Sequence, residues 1–186
     1  MSTFTSREEA WTWEHMALCR ARPLTCTAAA KKRVADLICA IVKGVGNPAK
    51  VRADASEMRA EMARHKPPAG PLDVKLGPGG LVDLEFAVHT LQLTSHIGID
   101  PRLEVAIAKL ADAGLIDSQA DADLRLLSRI LVVLRLVAPG TMDPPEQSRS
   151  LVARLCGHED WDLLLEAVGE ARHRIAERWA RVKERT

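Results

Sequence analysis

The sequence predicts an all-α fold, a bundle of about eight helices with at most one short strand or hairpin near residues 72–80. Three observations carry this. Hydrophobic residues make up 47% of the 186, yet only 3% are aromatic and none is Tyr, so Leu, Ala, Val and Ile must do the packing. Such a composition favours helix-on-helix contact. Gly and Pro fall between helix-length segments and punctuate them. Within those segments apolar residues recur at helical spacing, as in Leu124, Leu127, Leu131, Leu134 and Ala138.

The elements follow in order. Ser6-Arg7-Glu8-Glu9 has the form of a capping box, from which a first helix should run to about Arg22, just before Pro23. A second helix should run from Thr27 to Lys43, closed by Gly44, and a third from near Pro48 to about His65. Pro67-Pro68-Ala69-Gly70-Pro71 then interrupts the chain. Leu72 to Leu76 alternates apolar and polar residues, which suits one short strand, and Gly77-Pro78-Gly79-Gly80 suits a tight turn. A fourth helix should span Leu81 to about His96. A fifth should open at Asp100-Pro101 and close at Gly114, and a sixth should run from Asp117 or Ser118 to Ala138. Pro144-Pro145 opens the seventh, which Gly157 ends, and Asp160 caps an eighth that reaches about Lys183. The organisation expected is an N-terminal set of helices over 1–66, a Pro/Gly-rich strand-turn linker over 67–80 and a C-terminal bundle over 81–186.

Several functional classes are disfavoured at once. With 26 basic and 25 acidic residues the formal charge is +1, which argues against bulk electrostatic binding of nucleic acid. No membrane span is expected, because the run from Ile130 to Ala138 contains Arg135 and is far short of the ~20 residues a bilayer requires. Met1 to Phe4 lacks the basic and apolar regions of a secretory signal. Cys19, Cys26, Cys39 and Cys156 form no regular framework and fit reduced thiols in a cytoplasmic protein.

Three patches carry potential chemistry. Arg20 and Arg22 either complement the end of the first helix or reach a phosphate or an acidic partner. Asp73, Lys75, Gly79, Gly80, Asp83 and Glu85 surround a glycine turn before a helix N-terminus, a place where free N–H groups suit an anion. Neither a P-loop nor a dinucleotide fingerprint is present there. Asp83 and Glu85 fall on different helix faces, so one of them can be buried and paired, with Lys75 the nearest partner in sequence. Glu85, His89, Gln92 and His96 share one face of the fourth helix. That spacing leaves open a small metal site on Glu85, His89 and His96, with a phosphohydrolase-like activity, against an ordinary polar face.

These patches together resemble the glutamine synthetase adenylyltransferase family. The W-E-x-x-A-L-x-R-A-R segment reads Trp13 to Arg22, and M-R-x-x-M reads Met58 to Met62. The later D-x-K, glycine pair and D/E-x-E-F read Asp73-Val74-Lys75, Gly79-Gly80 and Asp83-Leu84-Glu85-Phe86. The likeness extends to the helical domain of PII uridylyltransferases. It departs at His89, where Gln is more usual, and at Cys19, where Thr is common.

The resemblance implies a helical module of an enzyme that moves AMP from ATP, with Mg²⁺, onto a Tyr of glutamine synthetase in nitrogen regulation. Asp83 looks like the adenylylating half of the family. Asp73, Lys75, Gly79, Gly80, Asp83, Glu85, Arg20 and Arg22 are then expected to organise the edge of a nucleotide site. The family's catalytic G-S-x-D-x-D does not occur in the 186 residues, so this chain alone is expected to be inactive. The nucleotidyltransferase core carrying that segment would sit just before Ser6. Expected partners are that core, glutamine synthetase and PII signalling protein. Two other readings stay open: a stand-alone helical module that binds glutamine synthetase or PII without nucleotide chemistry, and the helical part of a PII uridylyltransferase-like protein.

Overall fold

The computed structural model describes residues 11–24, 27–139 and 143–185. Eight helices follow one another: α1 (Thr12–Cys19), α2 (Ala28–Lys43), α3 (Pro48–His65), α4 (Leu81–Ser95), α5 (Leu103–Asp112), α6 (Gln119–Val137), α7 (Glu146–Leu155) and α8 (Trp161–Glu184). No strand occurs among the described residues.

The centre of the bundle is α4. Its sequence is apolar nearly all round, as a helix enclosed by others must be. Only Glu85, Thr94 and Ser95 of its 15 residues escape burial. It touches α1, α2, α3, α5, α6 and α8. The long α8 lies along it, and Phe86 of α4 meets Trp179 of α8 edge to face at 5.9 Å. Around this pair Leu84, Leu91, Ile107, Leu127, Ile130, Leu134, Leu164 and Ile175 are sealed from solvent.

Several helix ends follow the expected chemistry. Thr27 caps α2 by accepting the Ala30 N–H, and Gly44 closes that helix. Asn47 takes the left-handed conformation (φ 53°) and caps α3 through the Lys50 N–H at 3.0 Å, with Pro48 in the first turn. Asp160 caps α8 at 2.9 Å.

Three boundaries differ from expectation. In α1 the helix starts at Thr12, where Glu14 reaches back to the Trp11 N–H at 2.8 Å. The capping box over Ser6 to Glu9 lies outside the described residues. The helix also ends at Cys19, so Arg20 is its cap and Arg22 lies beyond it. α5 starts two residues later than Pro101, because Asp100 spends its carboxylate on an Asx turn, accepting the Arg102 N–H at 3.0 Å, and on Lys109 at 3.1 Å. The stretch from Leu72 to Leu76 forms successive turns instead of a strand. There Asp73 gathers three local backbone N–H groups, and no neighbouring strand exists to pair with.

A buried ionic network ties α8 to α6. Arg178, 3% exposed, donates to Asp117 at 2.6 and 2.5 Å and to Asp123 at 2.5 Å, while Arg174 donates to Asp123 at 2.8 Å. Asp117 has its carboxyl held below the ordinary range, first by the Arg178 hydrogen bonds. Removing one member of such a network leaves uncompensated buried charge, which costs about 3–5 kcal/mol. Asp123→Ala should therefore lower the urea midpoint sharply, and an unchanged midpoint would show the network to be dispensable.

Candidate functional site

The glycine turn is built by Asp73. Its carboxylate accepts the N–H groups of Ala69 (3.0 Å), Lys75 (3.1 Å) and Leu76 (2.9 Å). Burial pushes this carboxyl up. The N–H groups of Leu76, Ala69 and Lys75, together with nearby Arg172, outweigh that and hold it below the ordinary range. Gly80 sits where a Cβ would come within 2.8 Å of three carbonyl oxygens. Gly79 has φ +69°, and its Cβ would lie 2.0 Å from the Arg172 carbonyl. Only glycine satisfies both the torsion and the close approach of α8. Arg172 also clasps the turn, donating to the Pro78 carbonyl at 3.0 Å and the Pro71 carbonyl at 2.6 Å.

This turn does not present a free helix N-terminus. The Leu81 N–H goes to the Val74 carbonyl at 2.9 Å and the Val82 N–H to the Lys75 carbonyl at 3.1 Å. These two donors, which would have received an anion, are consumed by the turn itself.

Asp83 is the buried acidic residue of the pair singled out in the sequence, but its partner is Arg59 and not Lys75. Arg59 Nε donates to Asp83 Oδ1 at 2.5 Å, and Arg59 Nη2 donates to the Leu76 carbonyl at 3.0 Å. Asp83 Oδ2 accepts the Gly79 N–H at 2.6 Å. The contact thus joins the M-R-x-x-M segment, the glycine turn and the start of α4. Lys75 is exposed, and its ammonium has no partner among the described residues.

An open groove of about 470 Å³ lies between α1, α3 and α4. Trp13, Ala17 and Arg20 come from α1 and its cap, Met58 and Met62 from α3, and Glu85, Phe86 and His89 from α4. Trp13 is 53% exposed. Arg20 reaches Glu85 at 3.4 Å across the mouth, a solvated pair of small energetic weight. Arg22 is exposed and unpaired among the described residues.

His89 forms part of the groove wall and is 5% exposed. Its Nδ1 lies 2.8 Å from Gln92 Oε1, and its Nε2 has no hydrogen-bond partner. Burial lowers its pKa, the Gln92 contact opposes this, and the Arg20 charge lowers it further. His15 is likewise lowered, chiefly by burial. The metal arrangement considered for Glu85, His89 and His96 is not assembled. His96 caps α4 in the left-handed conformation and turns its Nε2 to the Val45 carbonyl at 3.0 Å. Among the described residues no group of three or more His, Cys, Asp or Glu is placed to hold a metal ion. Cys19 is an inert core thiol, its pKa pushed up to about 12 by burial.

Sequence reasoning named Gln92 only as a member of the polar face of the fourth helix, Arg59 only within its motif, and Arg172 not at all. Arg59 lay inside a recognised motif, and its position between Met58 and Met62 of the groove was the available signal. Arg172 gave none, being one arginine among several on α8.

Residues 49–182 match the family model described as GlnD PII-uridylyltransferase. The chain is similar to the bifunctional glutamine synthetase adenylyltransferase/adenylyl-removing enzyme of Agrobacterium fabrum, 36% identical over 159 residues that cover 81% of this chain and 16% of that protein. The protein of the same description from Mesorhizobium japonicum is 35% identical, over 79% of this chain and 16% of its own length. That from Caulobacter vibrioides is 41% identical over 133 residues, 69% of this chain and 13% of its own. The chain thus spans about 16% of the length of the first two.

Two outcomes are expected from this geometry. Arg59→Met strands the Asp83 carboxylate and should cost about 3–5 kcal/mol in urea denaturation; a smaller loss than an exposed Arg64→Met control would contradict the keystone role. The second concerns pH. The folded His89 pKa lies below the unfolded value of about 6.5. Its share of stability is therefore complete above that pH and is lost as pH falls, because the unfolded chain takes up the proton first. Denaturation midpoints should drop with acidification, and His89→Gln should flatten the drop, leaving the His15 share.

Proposed function

Since the chain belongs to the GlnD PII-uridylyltransferase family and its curated relatives are glutamine synthetase adenylyltransferases, we propose that it serves as the helical module of such an adenylyltransferase. The parent reaction would move AMP from ATP to a Tyr of glutamine synthetase. The observation that supports this reading best is the convergence of three separate motif segments. Trp13 to Arg22, Met58 to Met62 and Asp83 to Phe86 each contribute residues to one groove, and the last two are joined by the Arg59–Asp83 pair.

The described residues do not themselves fit Mg²⁺ and the ATP phosphates. They supply no cluster of metal-binding carboxylates, and the Leu81 and Val82 N–H groups at the start of α4 are taken. The catalytic carboxylates would therefore belong to a nucleotidyltransferase core elsewhere in the enzyme. This chain's part would be positional. The Arg59–Asp83 pair fixes α3, the turn and α4 in one register. Arg20, Arg22 and Lys75 remain solvent-facing cations, able to steer an anionic substrate held by the core.

A neighbouring apolar surface suits that core. Trp11 is 71% exposed, and Leu24, Val34 and Leu37 are also open on or next to α2, of which only Val42 is buried. Exposed patches of this kind mark interaction surfaces. A second exposed set, Val132 and Leu136 on α6 with Leu151 and Leu155 on α7, favours a further docking role toward glutamine synthetase or PII.

The test joins this chain to a nucleotidyltransferase core of the family and follows label from α-labelled ATP into glutamine synthetase. The chain alone should transfer nothing. Arg20→Ala and Lys75→Ala in the joined enzyme should each reduce kcat/KM by about tenfold, some 1.4 kcal/mol. Unchanged labelling by both variants would sink the steering role, and labelling by the unaided chain would sink the whole reading.

A further inference from the structure

We propose that the trough at the end of α8, between the start of α3 and the turn from α5 to α6, docks an acidic peptide segment of a partner protein. Its carboxylates would meet the arginines of the rim, and an aliphatic side chain would lie on the apolar walls.

The trough consists of two open cavities of about 490 Å³ each, which share Leu91, Leu115 and Arg185. One continues to Ile116, Arg181 and Val182, and the other to Pro48 and Arg52. Leu91, Leu115, Ile116 and Val182 give it apolar walls, the surface that an aliphatic side chain leaves water to reach. It is separate from the groove of Trp13 and Met62, since no residue lines both.

Its charge is one-sided. Asp117 is the one carboxylate among the described residues that line it, and Arg178 already holds both its oxygens, at 2.6 and 2.5 Å. Arg178 is itself shared with buried Asp123, so it adds no free charge. Three guanidiniums remain. Arg181 is 65% exposed and stands 3.9 Å from Asp117, a loose contact of little weight. Arg52 meets no carboxylate among the described residues. Arg185 donates to the Leu115 carbonyl at 3.4 Å, near the limit of a hydrogen bond, and its charge is left uncompensated. Elsewhere Lys32, Lys50, Arg64 and Arg125 each find a carboxylate one turn away on their own helix. A chain of formal charge +1 has thus gathered a positive strip along a concave apolar surface.

Shape and chemistry select the occupant. Arg52 belongs to one cavity, Arg181 to the other, and Arg185 lies between, so one small anion does not engage all three. A chain with spaced carboxylates does. No aromatic side chain occurs among the described lining residues, which leaves nucleic-acid bases without a stacking surface. An acidic peptide that carries an aliphatic residue matches both the rim and the walls.

The experiment follows the Leu, Val and Ile methyl signals of the whole 186-residue chain as peptides are added. The probe is acetyl-Glu-Glu-Leu-Glu-Glu-Leu-Glu-Glu-amide. It should shift the methyls of Leu91, Leu115, Ile116 and Val182 saturably, with a Kd on the order of 0.1 mM at low salt. Added salt should weaken it. Replacing every Glu of the probe by Lys, or every Leu by Ser, should weaken binding by about tenfold. The double variant Arg52→Glu with Arg185→Glu should lose about tenfold for the acidic probe and take up the lysine peptide instead. Its melting temperature should not move, because neither side chain is buried. That exchange of preference cannot come from a variant that merely fails to fold. The proposal is overturned if the acidic and lysine peptides bind alike, if the serine peptide binds as well as the leucine peptide, or if the double variant keeps the original preference. Shifts centred on Val132 and Leu151 would overturn it too, as would tighter binding of single-stranded oligothymidylate than of the acidic probe. No ATP, metal or catalytic core enters this experiment, so its failure and a failure of AMP transfer are separate results.

Discussion

The groove side of the bundle depends on one buried ion pair, Arg59 with Asp83, because three parts of the chain are joined at it. Arg59 brings α3, Asp83 brings the first turn of α4, and each makes one further bond to the turn between, to the Leu76 carbonyl and from the Gly79 N–H. A buried pair of this kind is not a large net source of stability, since desolvation offsets much of the attraction. Its value is directional. A guanidinium that must satisfy a carboxylate and a carbonyl together admits one register, whereas the surrounding Leu and Val contacts would tolerate several.

The groove follows from that register. α4 is buried on nearly every side, so the few polar residues it carries stand out. Glu85 is half-exposed and His89 is covered, one turn apart, and α1 crosses close enough for Arg20 to reach Glu85. A slip of α3 by one residue would remove Met58 and Met62 from the opposite wall. Scaffold and site are in this sense one construction.

Much of this was readable from the residues alone. Gly44, Pro48, Gly114, Gly157 and Asp160 mark element boundaries because each acts through local backbone chemistry, which sequence reports directly. The boundaries that moved, at Trp11 and Arg102, are places where a side chain several atoms long chose its partner, Glu14 in one case and Asp100 in the other. The alternation over Leu72 to Leu76 was misleading for a similar reason. Asp73 turned inward to collect N–H groups, so a polar residue occupied a buried position without any sheet. The expected pairing of Asp83 with Lys75 failed because nearness in sequence does not carry to nearness across packed helices. Arg59, 24 residues away, is nearer in space.

The grip of Arg172 on Pro71 and Pro78 has a kinetic side. Donor and acceptors lie 101 and 94 residues apart, so this clasp is among the most non-local contacts in the chain. The individual helices can flicker into existence early, since their bonds are local. The local bonds of Asp73 can set the glycine turn early, but the grip that Arg172 adds to it waits for α8 to dock. Closure of Arg172 over the proline carbonyls would thus be a late event in folding, and a chain growing from its N-terminus must wait for α8 before the turn is clasped.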